Sequence, residues 1–166
     1  MDETTIGLLP YLTRCWMRCG QQKAIATPGQ PQWLHYFGAY NWRTDEIVAL
    51  PAAAKTAETF CDFIELLLPL LPTDRPVVLV LDNASIHHAQ MVEALFAFFD
   101  DRFRVYWLPP YCSTLNPIER FWRHLKTLAC SDYCFATLPQ LPASVQQTLD
   151  NQNAPSHPDR LLFAKI

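Results

Sequence analysis

Three carboxylates at the ends of predicted elements are the residues best suited to chemistry. Asp82 follows the apolar run 76–81, Glu119 lies near the start of a predicted helix, and Asp2 lies at the start of the chain. Carboxylates that converge at a sheet edge repel one another, and divalent cations relieve that repulsion. Oxygen ligands suit Mg²⁺ or Mn²⁺, and two such ions can activate water and stabilise the leaving oxygen of a phosphodiester. We therefore predict that these three residues are catalytic metal ligands.

Each carboxylate also has a plainer interpretation. Ligands bind at the carboxyl ends of strands in open α/β sheets, but Asp82 followed by Asn83 is also common turn chemistry. Glu119 could cap its own helix, because Asn116 suits the N-cap and Glu119 would then occupy the N3 position of a capping box. Asp2 gains meaning only as a third carboxylate. Its neighbour Glu3 would face the opposite side of a strand, so only one of the two can join the site.

Basic residues accompany the carboxylates. Arg120, Arg123 and Lys126 follow Glu119 on the same predicted helix, and His87 comes five residues after Asp82. These four residues are predicted to bind nucleic acid, with the cations meeting a phosphate held at the carboxylates. A solvated helix face and a histidine of no consequence at a helix start are the alternatives.

Hydrophobic patterns place these residues on a series of strands and helices. Strands are predicted over 33–40, 46–50, 76–81 and 103–108, and helices over 55–68, 86–99 and 116–129. The run 76–81 does not alternate, which favours a strand covered on both faces. Strands and helices alternate from residue 76 onward, as in a parallel sheet, whereas the first part resembles antiparallel strands. The proline-rich residues 131–166 predict a loose appendage with a short helix over 142–150.

Composition bounds the class of protein. Half of the 166 residues are hydrophobic and 17% are charged, which indicates a globular chain with a real core. No apolar stretch approaches the ~20 residues of a membrane span, and no secretory signal is visible, so we expect a cytoplasmic protein. The net charge of −3 favours weak intrinsic affinity for nucleic acid, since DNA-binding domains usually carry a basic footprint.

Four segments resemble the mariner-like insertion-sequence transposases of the DDE superfamily. Residues 80–87 (VLDNASIH) resemble the motif of the second aspartate, and residues 108–122 (LPPYCSTLNPIERFW) resemble the motif of the third acid. Asp2 and Glu3 resemble the start of the first-aspartate motif, and residues 14–20, with Trp16, resemble the segment that follows it. The resemblance spans about residues 1–128.

This resemblance implies a ribonuclease-H-like fold, with a mixed five-stranded sheet flanked by helices and a truncated first strand. It implies a catalytic domain over residues 1–130 and an appendage over 131–166. Asp2, Asp82 and Glu119 would hold two Mg²⁺ or Mn²⁺ ions for hydrolysis at the ends of a mobile element and joining to target DNA. A helix-turn-helix region would bind the element ends from outside this sequence, and homo-oligomers are expected. The alternative is an inactive transposase remnant that serves as an interaction module.

Overall fold

The described residues form five strands and four helices. A computed structural model describes residues 1–12, 14, 16–21, 24–25, 32–110, 112–131, 135 and 137–163. The strands are β1 (Asp2–Gly7), β2 (Trp33–Tyr40), β3 (Ile47–Ala52), β4 (Val77–Leu81) and β5 (Phe103–Trp107). The helices are α1 (Ala57–Leu67), α2 (Gln90–Phe98), α3 (Pro117–Cys130) and α4 (Gln140–Asn153). The strands predicted over 33–40, 46–50, 76–81 and 103–108 and the helices predicted over 55–68 and 116–129 are confirmed to within two residues.

The first three strands form an antiparallel sheet with β2 in the centre. Alternation along β2 sends Tyr36 to one face and Phe37 to the other, and each side chain joins a different hydrophobic core. Helices α3 and α4 pack on the Tyr36 side, whereas α1 and α2 share the core of Phe37. At the centre of β2, Gly38 lies under the ring of Trp122 from α3, where an added Cβ would come within 2.4 Å of the ring. The missing side chain therefore lets α3 approach the strand.

Strands β4 and β5 form a separate parallel pair. Leu79 and Leu81 are buried in the core with α1 and α2, whereas Val78 is 58% exposed and Val80 is also exposed. The prediction that residues 76–81 are covered on both faces is therefore wrong. An unbroken run of Val and Leu does not distinguish a strand covered on both faces from one whose outward residues also happen to be apolar.

The expected five-stranded mixed sheet is not confirmed, because the two sheets meet without a ladder. Among the described residues, β1 reaches β4 through one backbone hydrogen bond, in which the amino group of Met1 donates to the carbonyl oxygen of Val80 at 2.7 Å. This hydrogen bond joins the residue before β1 to the penultimate residue of β4. The carboxyl end of β4 is thus held beside the start of β1 by a narrow seam.

The predicted helix over 86–99 is divided in two. Ser85–His88 form a short 3-10 turn, Ala89 is extended, and α2 begins only at Gln90. The turn begins three residues after Asp82 and brings Nδ1 of His87 within 3.1 Å of Oδ1 of Asp82. Within the described residues, no helix is long and apolar enough to cross a membrane.

The C-terminal residues belong to the core and are not a loose appendage. Leu141, Val145 and Leu149 of α4 and the following Phe163 are buried together with residues of α3 and the first sheet. The side chain of Asn153 also accepts from the backbone N–H of Ile47 and donates to its carbonyl oxygen. The described residues of this segment are therefore packed, contrary to the loose appendage expected from the prolines. The domain boundary after residue 130 stays a prediction.

Candidate active site

Asp2 is a buried carboxylate at the start of β1. Its side chain faces α3, on the same side of the strand as Ile6, and the residue is only 8% exposed. Burial raises the pKa of Asp2 to about 7, and the negative charges of Glu119, Glu3 and Asp82 contribute to the increase, while a backbone hydrogen bond at Glu3 opposes it. Asp2 is therefore surrounded by like charges in a partly desolvated position.

Asp82 lies directly after the last residue of β4, as predicted. One carboxylate oxygen, Oδ1, accepts a hydrogen bond from the backbone N–H of Ala84 at 3.1 Å, which is the turn chemistry of an Asx motif. The side chain is still 40% exposed. The turn interpretation and the site interpretation are thus compatible, since the turn fixes one oxygen and leaves the carboxylate open to the solvent.

Glu119 lies in the first turn of α3 and does not cap its helix. The side chain of Asn116 makes no capping bond but donates to the carbonyl oxygen of Met1 at 3.0 Å. The carboxylate of Glu119 has no hydrogen bond or ion pair with any residue that the structure describes, including Arg123 four residues later. The capping alternative is therefore not realised, and Asn116 instead ties the start of α3 to the start of β1.

A cavity of about 390 Å³ opens between the carboxyl end of β4 and the start of α3. Asp82 and Glu119 lie on its wall, and the other lining residues are Asn83, Ala84, Leu108, Pro109, Pro110, Cys112 and Asn116. The side chain of Asn83 donates to the carbonyl oxygen of Leu108, which joins the two loops that form the rim. Two of the three predicted ligands thus share one cavity, and the charges of both raise the pKa of the third, Asp2.

The donor set fits a hard divalent cation by its chemistry. All three carboxylates offer oxygen ligands, which suit Mg²⁺ or Mn²⁺, and Glu119 has no competing partner among the described residues. In the described part of the chain, no three His, Cys, Asp or Glu side chains are already grouped at the spacing of a metal site. Binding would therefore require side-chain rotation, for which the exposed carboxylate of Asp82 has room.

His87 is fully buried behind the site, where it has no surface for a contact with DNA. Its Nε2 lies 2.7 Å from Oε1 of Glu3, and its Nδ1 lies 3.2 Å from the carbonyl oxygen and 3.1 Å from Oδ1 of Asp82. All of these oxygens can act as acceptors, so every contact is satisfied when both ring nitrogens carry hydrogens. Burial lowers the pKa of His87, but the hydrogen bond and charge of Glu3, together with Asp82, more than offset this and leave the pKa raised.

The three cations of α3 occupy different surroundings. Lys126 is partly buried, and its pKa is lowered by burial and by the charge of Lys55. The negative charges of Glu119, Cys130 and Asp2 act in the opposite direction and only partly offset this decrease. Arg123 is exposed. Arg120 lies with its guanidinium 6.0 Å from the ring centre of Phe163, on the side of the C-terminal residues. Of the three, Lys126 is thus the one most clearly associated with the carboxylates.

Sequence reasoning missed the pairing of Glu3 with His87. Glu3 was considered only as a competitor of Asp2, and the expectation that the two side chains face opposite sides agrees with the structure, in which Asp2 faces α3 and Glu3 meets His87. The sequence contains one signal for this pair: Glu3 faces away from Asp2 on the strand, and His87 follows Asp82 by five residues. The break at Ala89, which separates the 3-10 turn from α2, is not visible in the hydrophobic pattern.

Comparison with known sequences identifies the family. The family described as the DDE superfamily endonucleases matches residues 1–141 of the chain. A curated relative, the uncharacterized 39 kDa protein of insertion element IS630 from Shigella sonnei, is 26% identical over 149 residues. That match covers 90% of this chain but 43% of the relative, so the chain spans less than half of the relative's length.

Solved structures agree on the fold. The Mos1 transposase, in a paired-end complex with the left transposon end, superposes with a TM-score of 0.71 at 15% identity, covering 95% of this chain and 48% of that one. The catalytic core domain of BIV integrase superposes with a TM-score of 0.54 at 18% identity, covering 74% of this chain and 76% of that one. Both are ribonuclease-H-like cores, so the fold of this chain is of that kind. The chain belongs to the family of DDE superfamily endonucleases.

Proposed function

We propose that this chain is the catalytic domain of a transposase, which cuts and joins DNA phosphodiesters by metal-dependent phosphoryl transfer. Asp2, Asp82 and Glu119 are its metal ligands and catalytic residues. The proposal is supported by the convergence of three carboxylates from β1, the end of β4 and α3. Asp82 and Glu119 line one cavity. Burial raises the pKa of Asp2, and the negative charges of Glu119 and Asp82 add to the increase. Such mutual repulsion has no evident structural benefit, but it suits a site that receives cations.

Two of the proposed metal ligands, Asp82 and Asp2, are held in place, whereas the third, Glu119, can change its orientation. When bound, two Mg²⁺ or Mn²⁺ ions supply Lewis-acid activation of the attacking oxygen and stabilise the leaving oxygen. The hydrogen bond from Ala84 restrains one oxygen of Asp82, and burial restrains Asp2. Glu119 has no partner among the described residues and can therefore turn towards a ligand without breaking a bond.

DNA is the proposed partner, as element ends and as target. Lys126 and Arg123 lie on the helix of Glu119, where they can neutralise the phosphates that flank the cleaved bond. We further propose that a helix-turn-helix region in the part of the longer relatives that this chain does not span binds the element ends. Assembly into homo-oligomers belongs to the same proposal, because the Mos1 neighbour was solved as a paired-end complex.

Strand cleavage with and without divalent metal tests the proposal. The purified chain is given Mn²⁺ and a labelled duplex, together with the Asp82→Asn and Glu119→Gln variants. Asp101→Asn, an exposed aspartate, and Glu93→Gln, an acidic residue in the first turn of α2, serve as matched controls. We expect metal-dependent nicking by the wild type and both controls and no nicking by the two site variants, with all five proteins melting normally.

The outcomes separate the two functions considered. Retained cleavage in Asp82→Asn or Glu119→Gln would remove that residue from the mechanism. A folded wild type that neither cleaves nor responds to metal would favour the alternative function, an inactive transposase remnant acting as an interaction module.

A further inference from the structure

The buried pair of Glu3 and His87 occupies the seam between the two sheets. Glu3 lies on β1, next to Asp2, and His87 lies on the 3-10 turn that follows Asp82. The side chain of His87 is completely buried and that of Glu3 is nearly so, and their polar atoms lie 2.7 Å apart. The ring of Phe60 from α1 packs against His87 at 4.5 Å between ring centres, which restricts the orientation of the imidazole.

The seam also contains a backbone contact between the start of β1 and β4. The strands share no ladder, and the described backbone contact between them is the one hydrogen bond from Met1 to Val80. The imidazole of His87 bonds Glu3 through one nitrogen and the backbone and side chain of Asp82 through the other. A single ring therefore connects the residue next to Asp2 with Asp82 itself.

We propose that Glu3 and His87 are positioning residues for the two aspartates, which hold Asp82 at a fixed place relative to Asp2 without themselves binding metal or DNA. Glu3 acts through His87, and His87 acts through Asp82. This inference rests on the proposed function, since the aspartates are metal ligands only under that proposal. Partners that orient metal ligands through hydrogen bonds commonly set metal affinity, and their loss costs about 10- to 100-fold in affinity or activity.

Mn²⁺ binding to the full chain, measured by the electron paramagnetic resonance signal of free Mn²⁺, tests the pair. Glu3→Ala removes the partner of His87, and we expect the apparent Kd for Mn²⁺ to rise about 10- to 100-fold. Glu3→Gln keeps an oxygen that accepts from Nε2, and we expect it to retain most of the affinity. His88→Gln, which changes the exposed neighbouring histidine, is the matched control and should bind as the wild type does.

A variant of His87 keeps the test sharp if Glu3→Ala fails to fold. His87→Asn retains a donor near the position of Nδ1 but cannot reach Glu3, so it should weaken Mn²⁺ binding while its melting temperature reports the fold. Affinity within twofold of the wild type in a folded Glu3→Ala or His87→Asn protein would overturn the proposal. Loss of affinity in Glu3→Gln as complete as in Asp82→Asn would also overturn it, because Glu3 would then be a ligand.

Hydrogen exchange without metal separates this inference from the proposed function. The backbone N–H of Ala84 donates to Oδ1 of Asp82, so its exchange rate reports whether that carboxylate is held in place. We expect exchange at Ala84 to be several times faster in Glu3→Ala and unchanged in His88→Gln. If the wild type does not bind Mn²⁺, the proposed function fails, and the rate at Ala84 alone still supports or overturns the positioning role.

Discussion

The three-stranded sheet β1–β3 is more deeply buried than the two-stranded sheet β4–β5. The first is covered on one face by α3 and α4 and on the other by α1. Among the residues that the structure describes, the second is covered on the side of Leu79 and Leu81, whereas Tyr106 on its outer face is 63% exposed. The candidate site lies where the two sheets meet, with Asp2 from the first and Asp82 from the second. The sheet that is covered on both faces thus supplies Asp2, and Asp82 follows a strand of the more exposed sheet.

Removing a side chain from the helices that cover the first sheet should have the largest effect. Leu149→Ala in α4 leaves a cavity in a core where Leu149 is buried, and we expect a loss of about 2–5 kcal/mol in the free energy of unfolding. The matched control is Leu162→Ala, whose side chain is 72% exposed and should contribute little. Urea unfolding measures both. Equal, small losses would mean that α4 does not belong to the core.

Filling the gap under α3 should have the next largest effect. Gly38→Ala places a Cβ against the ring of Trp122, which is only 3% exposed and has no space to move into, and we expect a loss of about 1–3 kcal/mol in stability. Gly7→Ala meets Trp33 instead, which is 55% exposed and can rotate away. Thermal melting should therefore separate the two variants, and a smaller loss at Gly38 than at Gly7 would contradict the packing of α3 on β2.

The contribution of α3 to DNA binding should be smaller. Arg123→Ala and Lys126→Ala each remove one cation from the helix of Glu119, and each should reduce the salt dependence of duplex binding by about one phosphate contact. Arg75→Ala is the control, since Arg75 precedes β4, at the opposite end of the strand from Asp82. Binding titrations at several salt concentrations measure the slope. We also expect weak overall affinity from the net charge of −3, and tight binding at physiological salt would contradict this.

A substitution on the open face of the second sheet should have the smallest effect. Val78→Thr keeps the β-branched shape at an exposed position, and we expect a change in stability within about 0.5 kcal/mol. A threonine at the buried neighbouring position, Leu79→Thr, should destabilise the protein far more. A large loss for Val78→Thr in urea unfolding would show that the outer face of β4 is covered in solution.

Sequence reasoning succeeded where a local pattern determines the structure. The apolar run before Asp82 and the helical spacing after Pro117 each have one physical solution, and both elements appear where they were predicted. It failed where the outcome depends on what packs against an element. Nothing local says that β4 lacks a cover or that Phe163 folds back onto the ring of Tyr40, 4.1 Å away between ring centres.

The candidate site shows the same division. The three carboxylates are predicted from their residue type and their positions at the ends of elements, and their role as metal ligands stays a prediction. The seam contact of Glu3 with His87 joins residues 84 apart in sequence, and the 3-10 turn that holds His87 is separated from α2 by the extended residue Ala89. Periodicity cannot register such a break, because it averages over a whole helix.

Metal-induced stabilisation most directly tests the claim that the two sheets meet at a metal site. Thermal melting is followed during titration with Mg²⁺ or Mn²⁺ for the wild type and for Asp82→Asn. A ligand at 100 times its Kd stabilises the folded state by about 2.7 kcal/mol. We expect metal to raise the melting temperature of the wild type and to leave that of Asp82→Asn unchanged. An unchanged wild type, or an equal rise in both proteins, would contradict it.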